Sequence, residues 1–240
     1  MKLVRPDRIG ALAGRVAGRA FTLPFSALKV IRPRRPIHPE GVSLVGTVER
    51  FGANPKDSGS HPSGLGWIDT PGIADVQARL SRSIGLPHAG PDIIGLALRF
   101  STTAGYSDVL LASTGFSRTG LFLLTMRRHA SSAKFSSLMP YKGVDGPVLL
   151  AARTLAASNT LPATPEDFRK AVGRGTWTLG LYHARPLGPW IRFGTLSLQL
   201  DPAAPDTATR FDPVKNPLDQ AGIYPWTARL RVPSYSTARR

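Results

Sequence analysis

Apolar residues along this chain recur mostly in short runs with the two-residue period of β-strands. The clearest is 191–200, where Ile191, Phe193, Thr195, Ser197 and Gln199 alternate with Arg192, Gly194, Leu196, Leu198 and Leu200. That alternation predicts a half-buried strand. Segments 93–100, 107–113, 121–126 and 176–183 are short apolar runs of the same character, and 42–50 follows Gly41 as a further strand. Segment 147–161 fits a strand or a helix equally well. Helical spacing occurs at 8–22, where Ile9, Leu12, Ala13, Val16 and Ala20 share one face and Arg8, Arg15 and Arg19 another, with Pro24 as the stop. A second helix begins at Thr164-Pro165-Glu166-Asp167, with Thr as N-cap, Pro in the first turn and an acid three residues on. Segments 52–66 and 201–221 are loops by their Gly, Pro, Ser and Asp content. Many short strands with few helices predict a mainly β chain of the α+β class, built as an antiparallel barrel or sandwich. No internal repeat is present.

Length changes this picture little: 240 residues suit one domain, here residues 32–240, plus an arm, residues 1–31. Charge changes it more. Lys and Arg number 31 against 15 Asp and Glu, a formal net charge of +16. Such a field favours anionic partners. In the arm, Lys29 joins Arg8, Arg15 and Arg19, and Arg32, Arg34 and Arg35 follow directly, so the arm either packs on the body with its arginines in solvent or lies on an anionic membrane surface as its partner. The arm lacks interleaved aromatic residues and the chain carries no nucleic-acid motif, so no specific nucleic-acid partner is expected. Cysteine is absent, which excludes disulfides, thiolate ligation and thiol catalysis. No apolar run approaches the roughly 18 residues of a membrane span. Arg15 and Arg19 interrupt the stretch where a secretory signal would be apolar, leaving the cytoplasm as the expected compartment.

Gly64-Leu65-Gly66 and Gly173-Arg174-Gly175 lack the strand–glycine–helix context of a dinucleotide site. His61, His88, His129 and His183 have no ligand spacing and read as structural or exposed. Trp177, Trp190 and Trp226 read as core or barrel-end packing. Two pairs of residues stand out instead. Arg35-Pro36-Ile37-His38 precedes Gly41 and the first strand, and Arg231 stands four residues ahead of Tyr235 near the other end. Between them come Arg79-Leu80-Ser81, on an expected inward-facing strand, then Asp92-Ile93-Ile94-Gly95-Leu96-Ala97-Leu98-Arg99-Phe100, then Asp108 opening the next strand.

In order and approximate spacing, these segments resemble the haem-dependent catalase superfamily, over most of residues 32–240. The resemblance implies a catalase-like antiparallel β-barrel with peripheral helices and haem b as cofactor. It implies Tyr235 as the iron's axial ligand, an unusual choice among haem proteins. A phenol ordinarily titrates near pH 10, and iron and the guanidinium of Arg231 would both favour the phenolate. Pro233 between them interrupts a regular helix. His38 is implied as the distal acid–base group, moving a proton between the two oxygens of a bound peroxide. Ser81 would orient its ring. Arg35 and Arg79 would hold haem propionates through their planar fork.

One departure bears on the reaction. Catalases carry a distal Asn after the aspartate matched by Asp108, whereas Leu110-Leu111-Ala112-Ser113-Thr114 has no amide. The chain is also far shorter than a typical catalase. It is more similar to minimal catalase-related proteins, which implies a haem peroxidase acting on hydrogen peroxide or organic hydroperoxides with an organic reductant. Two alternatives stand beside it: a lipid-hydroperoxide isomerase or lyase, and a degenerate barrel without haem that serves as a membrane-associated or scaffolding module. Ile37, apolar as in catalases where the allene oxide synthase branch has Thr, weighs mildly against that branch. A homo-oligomer, with the arm exchanged between subunits, is a further expectation of the resemblance.

Overall fold

The computed structural model describes residues 38–53, 62–85, 90–103, 105–117, 120–218 and 221–227. Its main strands are β1 (Gly41–Arg50), β2 (Gly72–Arg82), β3 (Asp92–Thr102) and β4 (Gly105–Ser113), then β5 (Met126–Arg127), β6 (Lys134–Ser136), β7 (Tyr141–Gly143) and β8 (Gly146–Ala156), then β9 (Trp177–Ala184), β10 (Ile191–Leu200) and β11 (Gly222–Ile223). Antiparallel pairing runs β1-β2-β3-β4-β6-β8-β9-β10 and returns from β10 to β1. Eight strands therefore close on themselves, which removes the free edges of an open sheet. Segment 147–161, open between strand and helix in the sequence, is largely strand β8.

Register decides which residues fill the interior. Val42, Leu44 and Val48 of β1 stand opposite Leu80, Ala78 and Ala74 of β2, and β3 continues the layers with Leu96 and Leu98. All of these side chains except the half-buried Ala74 are almost wholly buried. An eight-stranded barrel has an interior just wide enough for side chains to fill, and here aliphatic residues fill it with Phe100, Phe135 and Trp177. The alternate residues of the same strands lie outside: Ser43, Arg79, Ser81, Gly95, Ala97, Leu110 and Ala112. Leu80 thus points into the barrel, while its neighbours Arg79 and Ser81 occupy the outer face.

Two short helices dock aromatic residues on this core. Helix α1 (Gly66–Asp69) tilts Trp67 onto Phe100, with ring centroids 4.7 Å apart. Helix α2 (Pro165–Val172) stands Phe168 edge-on to Trp177 at 5.5 Å. Thr164 is the N-cap of α2 as expected, but its hydroxyl donates to the Asp167 carboxylate and leaves the backbone N–H groups alone. Trp177 is core, Trp190 stacks on Phe116 at 5.0 Å, and Trp226 is exposed. His183 is buried and His129 exposed. The remaining histidines of the sequence reading, His61 and His88, lie outside the described residues, as does the arm.

Segment 121–126 is a correction. Only Gly120–Phe122, a 3-10 turn, and the two residues of β5 are regular there. Its apolar run reflects exposure: Leu123 is 65% exposed and Phe122, Leu124 and Met126 are each at least 39% exposed. A run of apolar residues gave the strand signal without the two-sided burial that makes a strand.

The loop after β10 straps back across the outside of the barrel. Its anchor is Asp108, completely buried, whose carboxylate takes both arms of the Arg99 guanidinium at 2.7 Å. The same carboxylate accepts the Asp212 backbone N–H at 2.7 Å and the Asn216 amide at 2.8 Å. Its hydrogen bond holds the proton of Arg99 more firmly than usual, against a smaller opposing effect of burial. Among the described residues no helix is long and apolar enough to cross a membrane.

Candidate functional site

The site forms where the chain enters β1. Residues 79, 81 and 83 share the outer face because strand side chains alternate. Ser81 stands opposite Gly41 in the register of β1 and β2, so the turn before Gly41 lies over that face. His38 is on this turn with φ of 57°, a left-handed backbone that costs a non-glycine residue about 1–2 kcal/mol. Such a conformation persists only where its surroundings fix it. Here they do. The His38 N–H donates to the Ser83 carbonyl at 3.0 Å, and the His38 carbonyl accepts from Arg79 Nη1 at 3.3 Å. On the ring, Nδ1 lies 2.9 Å from Ser81 Oγ and Nε2 lies 3.4 Å from Ser83 Oγ. The structure thus brings together His38, Ser81 and Arg79, and adds Ser83.

Gly95 explains the glycine that the sequence places after Asp92. It pairs with Ser81 across β2 and β3, and a Cβ there would lie 2.7 Å from His38 Cε1 and 3.1 Å from Nδ1. No side chain fits beneath the ring. Gly95→Ala is expected to push the imidazole off Ser81, at a cost of about 1–3 kcal/mol. The measurement is the His38 ring resonances by NMR, with circular dichroism as the folding control; unshifted resonances in a folded variant would remove Gly95 from the site.

Arg79 is engaged from the strap. Its Nε and Nη2 meet Asp206 Oδ1 and Oδ2 at 2.7 and 2.8 Å, and Asp206 Oδ2 also accepts the Gly41 N–H at 3.1 Å. The Arg79 side chain is 7% exposed and that of Asp206 is 32% exposed. A bidentate guanidinium–carboxylate pair of this kind fixes geometry as well as charge. The carboxylate expected on Arg79 is therefore present as a residue of the chain itself, and a propionate would compete with it.

Beside His38 the outer face continues as an apolar patch. Gly95 stands opposite Ala112, and Ala97 opposite Leu110. Ala97, Leu110 and Ala112 are half-buried. Ala112 pairs with Gly95, the glycine beneath the His38 ring, and brings no amide to this face. Arg35, Arg231 and Tyr235, the other expected contacts of a cofactor, lie outside the described residues. Among the described residues no cluster of three His, Asp or Glu is arranged to hold a metal ion.

Sequence reasoning missed Asp206 and Ser83. Ser83 had a legible signal in the two-residue spacing from Arg79 and Ser81. Asp206 had none, since one acid in a polar loop carries no mark of the strand it will cross. No family model matches the sequence, and no curated protein matches it. Solved structures share its fold. Catalase A from Saccharomyces cerevisiae has 15% identity and a TM-score of 0.56, covering 85% of this chain and 60% of its own. A fungal catalase has 15% identity and a TM-score of 0.54, with 82% and 57% covered. A bacterial catalase has 14% identity and a TM-score of 0.53, with 85% and 57% covered. The barrel is thus catalase-like, and the chain spans less than two thirds of the length of these catalases.

Proposed function

We propose that this catalase-like barrel belongs to a haem peroxidase that reduces hydrogen peroxide or organic hydroperoxides, taking electrons from an organic reductant. The observation that supports the reading most is the held imidazole of His38 at the margin of an apolar platform, with Gly95 kept bare beneath it. The donor set fits haem b: an apolar seat, a distal base with an orienting hydroxyl, and Tyr235 in the sequence as a phenolate ligand. When bound, haem would supply the electrons that break the O–O bond. His38 would accept the proton of the inner hydroperoxide oxygen and return it to the leaving oxygen. With two electrons and two protons in total, a hydroperoxide becomes an alcohol and water. Ser81 would fix the tautomer through Nδ1, and Nε2 would give up its contact with Ser83 Oγ to take part in the proton transfer. Arg35 and Arg231 take their proposed places from the resemblance, at a propionate and beside the phenolate. Arg79 would serve a propionate only by exchanging Asp206 for it.

Ala112 favours an organic hydroperoxide over the dismutation of hydrogen peroxide, because its methyl group cannot hydrogen-bond a second peroxide. An isomerase or lyase acting on lipid hydroperoxides shares that preference. It differs in needing no reductant, so the dependence of alcohol formation on added reductant separates the two.

The test is an absorption spectrum of protein reconstituted with hemin, beside Tyr235→Phe. A Soret band with high-spin ferric features, lost or shifted in the variant, is the expected result. The second reading, a barrel without haem, is favoured by Asp206 already filling the fork of Arg79. Failure to take up hemin would establish it.

A further inference from the structure

The correction at 121–126 leaves an exposed apolar stretch that the site does not use. Phe122, Leu123, Leu124 and Met126 expose 46%, 65%, 39% and 47% of their surface within five residues. Scattered exposed apolar residues are ordinary, but four within five residues form a patch, and patches of this kind mark contact surfaces. The stretch is held in a defined shape. Leu123 N–H donates to the Gly120 carbonyl, Gly115 N–H donates to the Leu123 carbonyl, and Met126 pairs with Ile93 beside the platform. Arg127 and Arg128 follow immediately. No Asp or Glu occurs between Asp108 and Asp145, a stretch with five Lys or Arg.

Charge selects the occupant. The chain's own ends are poor candidates, since residues 1–37 hold nine Lys or Arg against one Asp, and residues 228–240 hold four Arg and no acid. A second copy would set the same cations against each other. An occupant must be apolar where it meets the four side chains and anionic where it meets the arginines. We propose that the 120–128 segment inserts its apolar side chains into an anionic lipid surface, with Arg127 and Arg128 at the headgroups. This is the arrangement by which apolar residues backed by cations hold a protein in a membrane interface. It is separate from the basic arm and does not depend on haem.

The absence of cysteine allows a direct test in the full chain. Leu123→Cys carries a single environment-sensitive fluorophore, and Glu166→Cys, on the exposed face of α2, carries the same label as a control. With phosphatidylglycerol vesicles the label at position 123 is expected to shift to the blue, with no shift at 166 and none on phosphatidylcholine vesicles. In unlabelled protein, Leu123→Asp is expected to weaken anionic-vesicle binding by about tenfold, since a new charge must stay out of the apolar layer. Three results would overturn the proposal. One is vesicle binding with no shift at 123, which assigns binding to the arm. Another is an equal shift at both positions, and the third is a concentration-dependent shift without vesicles, which assigns the patch to a second copy.

Discussion

Replacing His38 by Gln in hemin-reconstituted protein is expected to lower hydroperoxide turnover by about 10²- to 10⁴-fold while leaving haem content unchanged. Gln keeps a polar side chain of similar reach but cannot take up a proton. The loss corresponds to roughly 3–5 kcal/mol of the barrier, at 1.36 kcal/mol per tenfold. Single-turnover mixing with an alkyl hydroperoxide reads the step directly, and the pyridine haemochrome spectrum gives the haem content. Ser81→Ala should cost less, because Ser83 Oγ and the two backbone contacts still hold the turn. Its mark would be a changed pH profile more than a lost rate. Wild-type turnover in His38→Gln would show that the imidazole is a structural plug of the turn and that the proton travels elsewhere.

The largest expected loss of stability is at Asp108. Asp108→Ala removes one carboxylate and strands four donors: two from Arg99, the Asp212 N–H and the Asn216 amide. Arg99 keeps the Arg210 carbonyl at 3.0 Å and the rings of Tyr106 and Phe211, and its side chain is 17% exposed. Removing one partner of a buried, hydrogen-bonded ion pair costs about 3–5 kcal/mol. For a domain of this size the melting temperature should fall by on the order of 10 °C. The strap should also loosen first, so limited proteolysis is expected to cut within 201–218 before it cuts the barrel. Asp108→Asn retains one acceptor and should fall between wild type and Ala. If Asp108→Ala melts within a degree of wild type, the strap is held by other contacts.

That strap matters to the site as well as to stability. Asp206 lies only a few residues ahead of Asp212, and it holds Arg79, which in turn holds the carbonyl of His38. The candidate site is therefore built from three distant parts of the chain: the turn before β1, the outer faces of β2 and β3, and a loop more than a hundred residues later.

The sequence by itself determined the strands and the chemistry that rides on their alternation. The period of two in 191–200 predicted a mainly β chain, and the order of His38, Ser81, Gly95 and Asp108 carried the resemblance that implied a barrel with a histidine oriented by a hydroxyl. Local pattern suffices there because a strand's two faces are written into successive residues. What tertiary structure alone decided was partnership and exposure. Nothing near Asp206 in the chain indicates that it will meet Arg79, since that contact depends on where a polar loop crosses the barrel. Nothing in the apolar run at 121–126 distinguishes a buried strand from an exposed tongue, since hydrophobicity states a preference for burial and the fold determines whether burial is available. The left-handed backbone of His38 likewise follows from four contacts that exist only once β1 and β2 are paired.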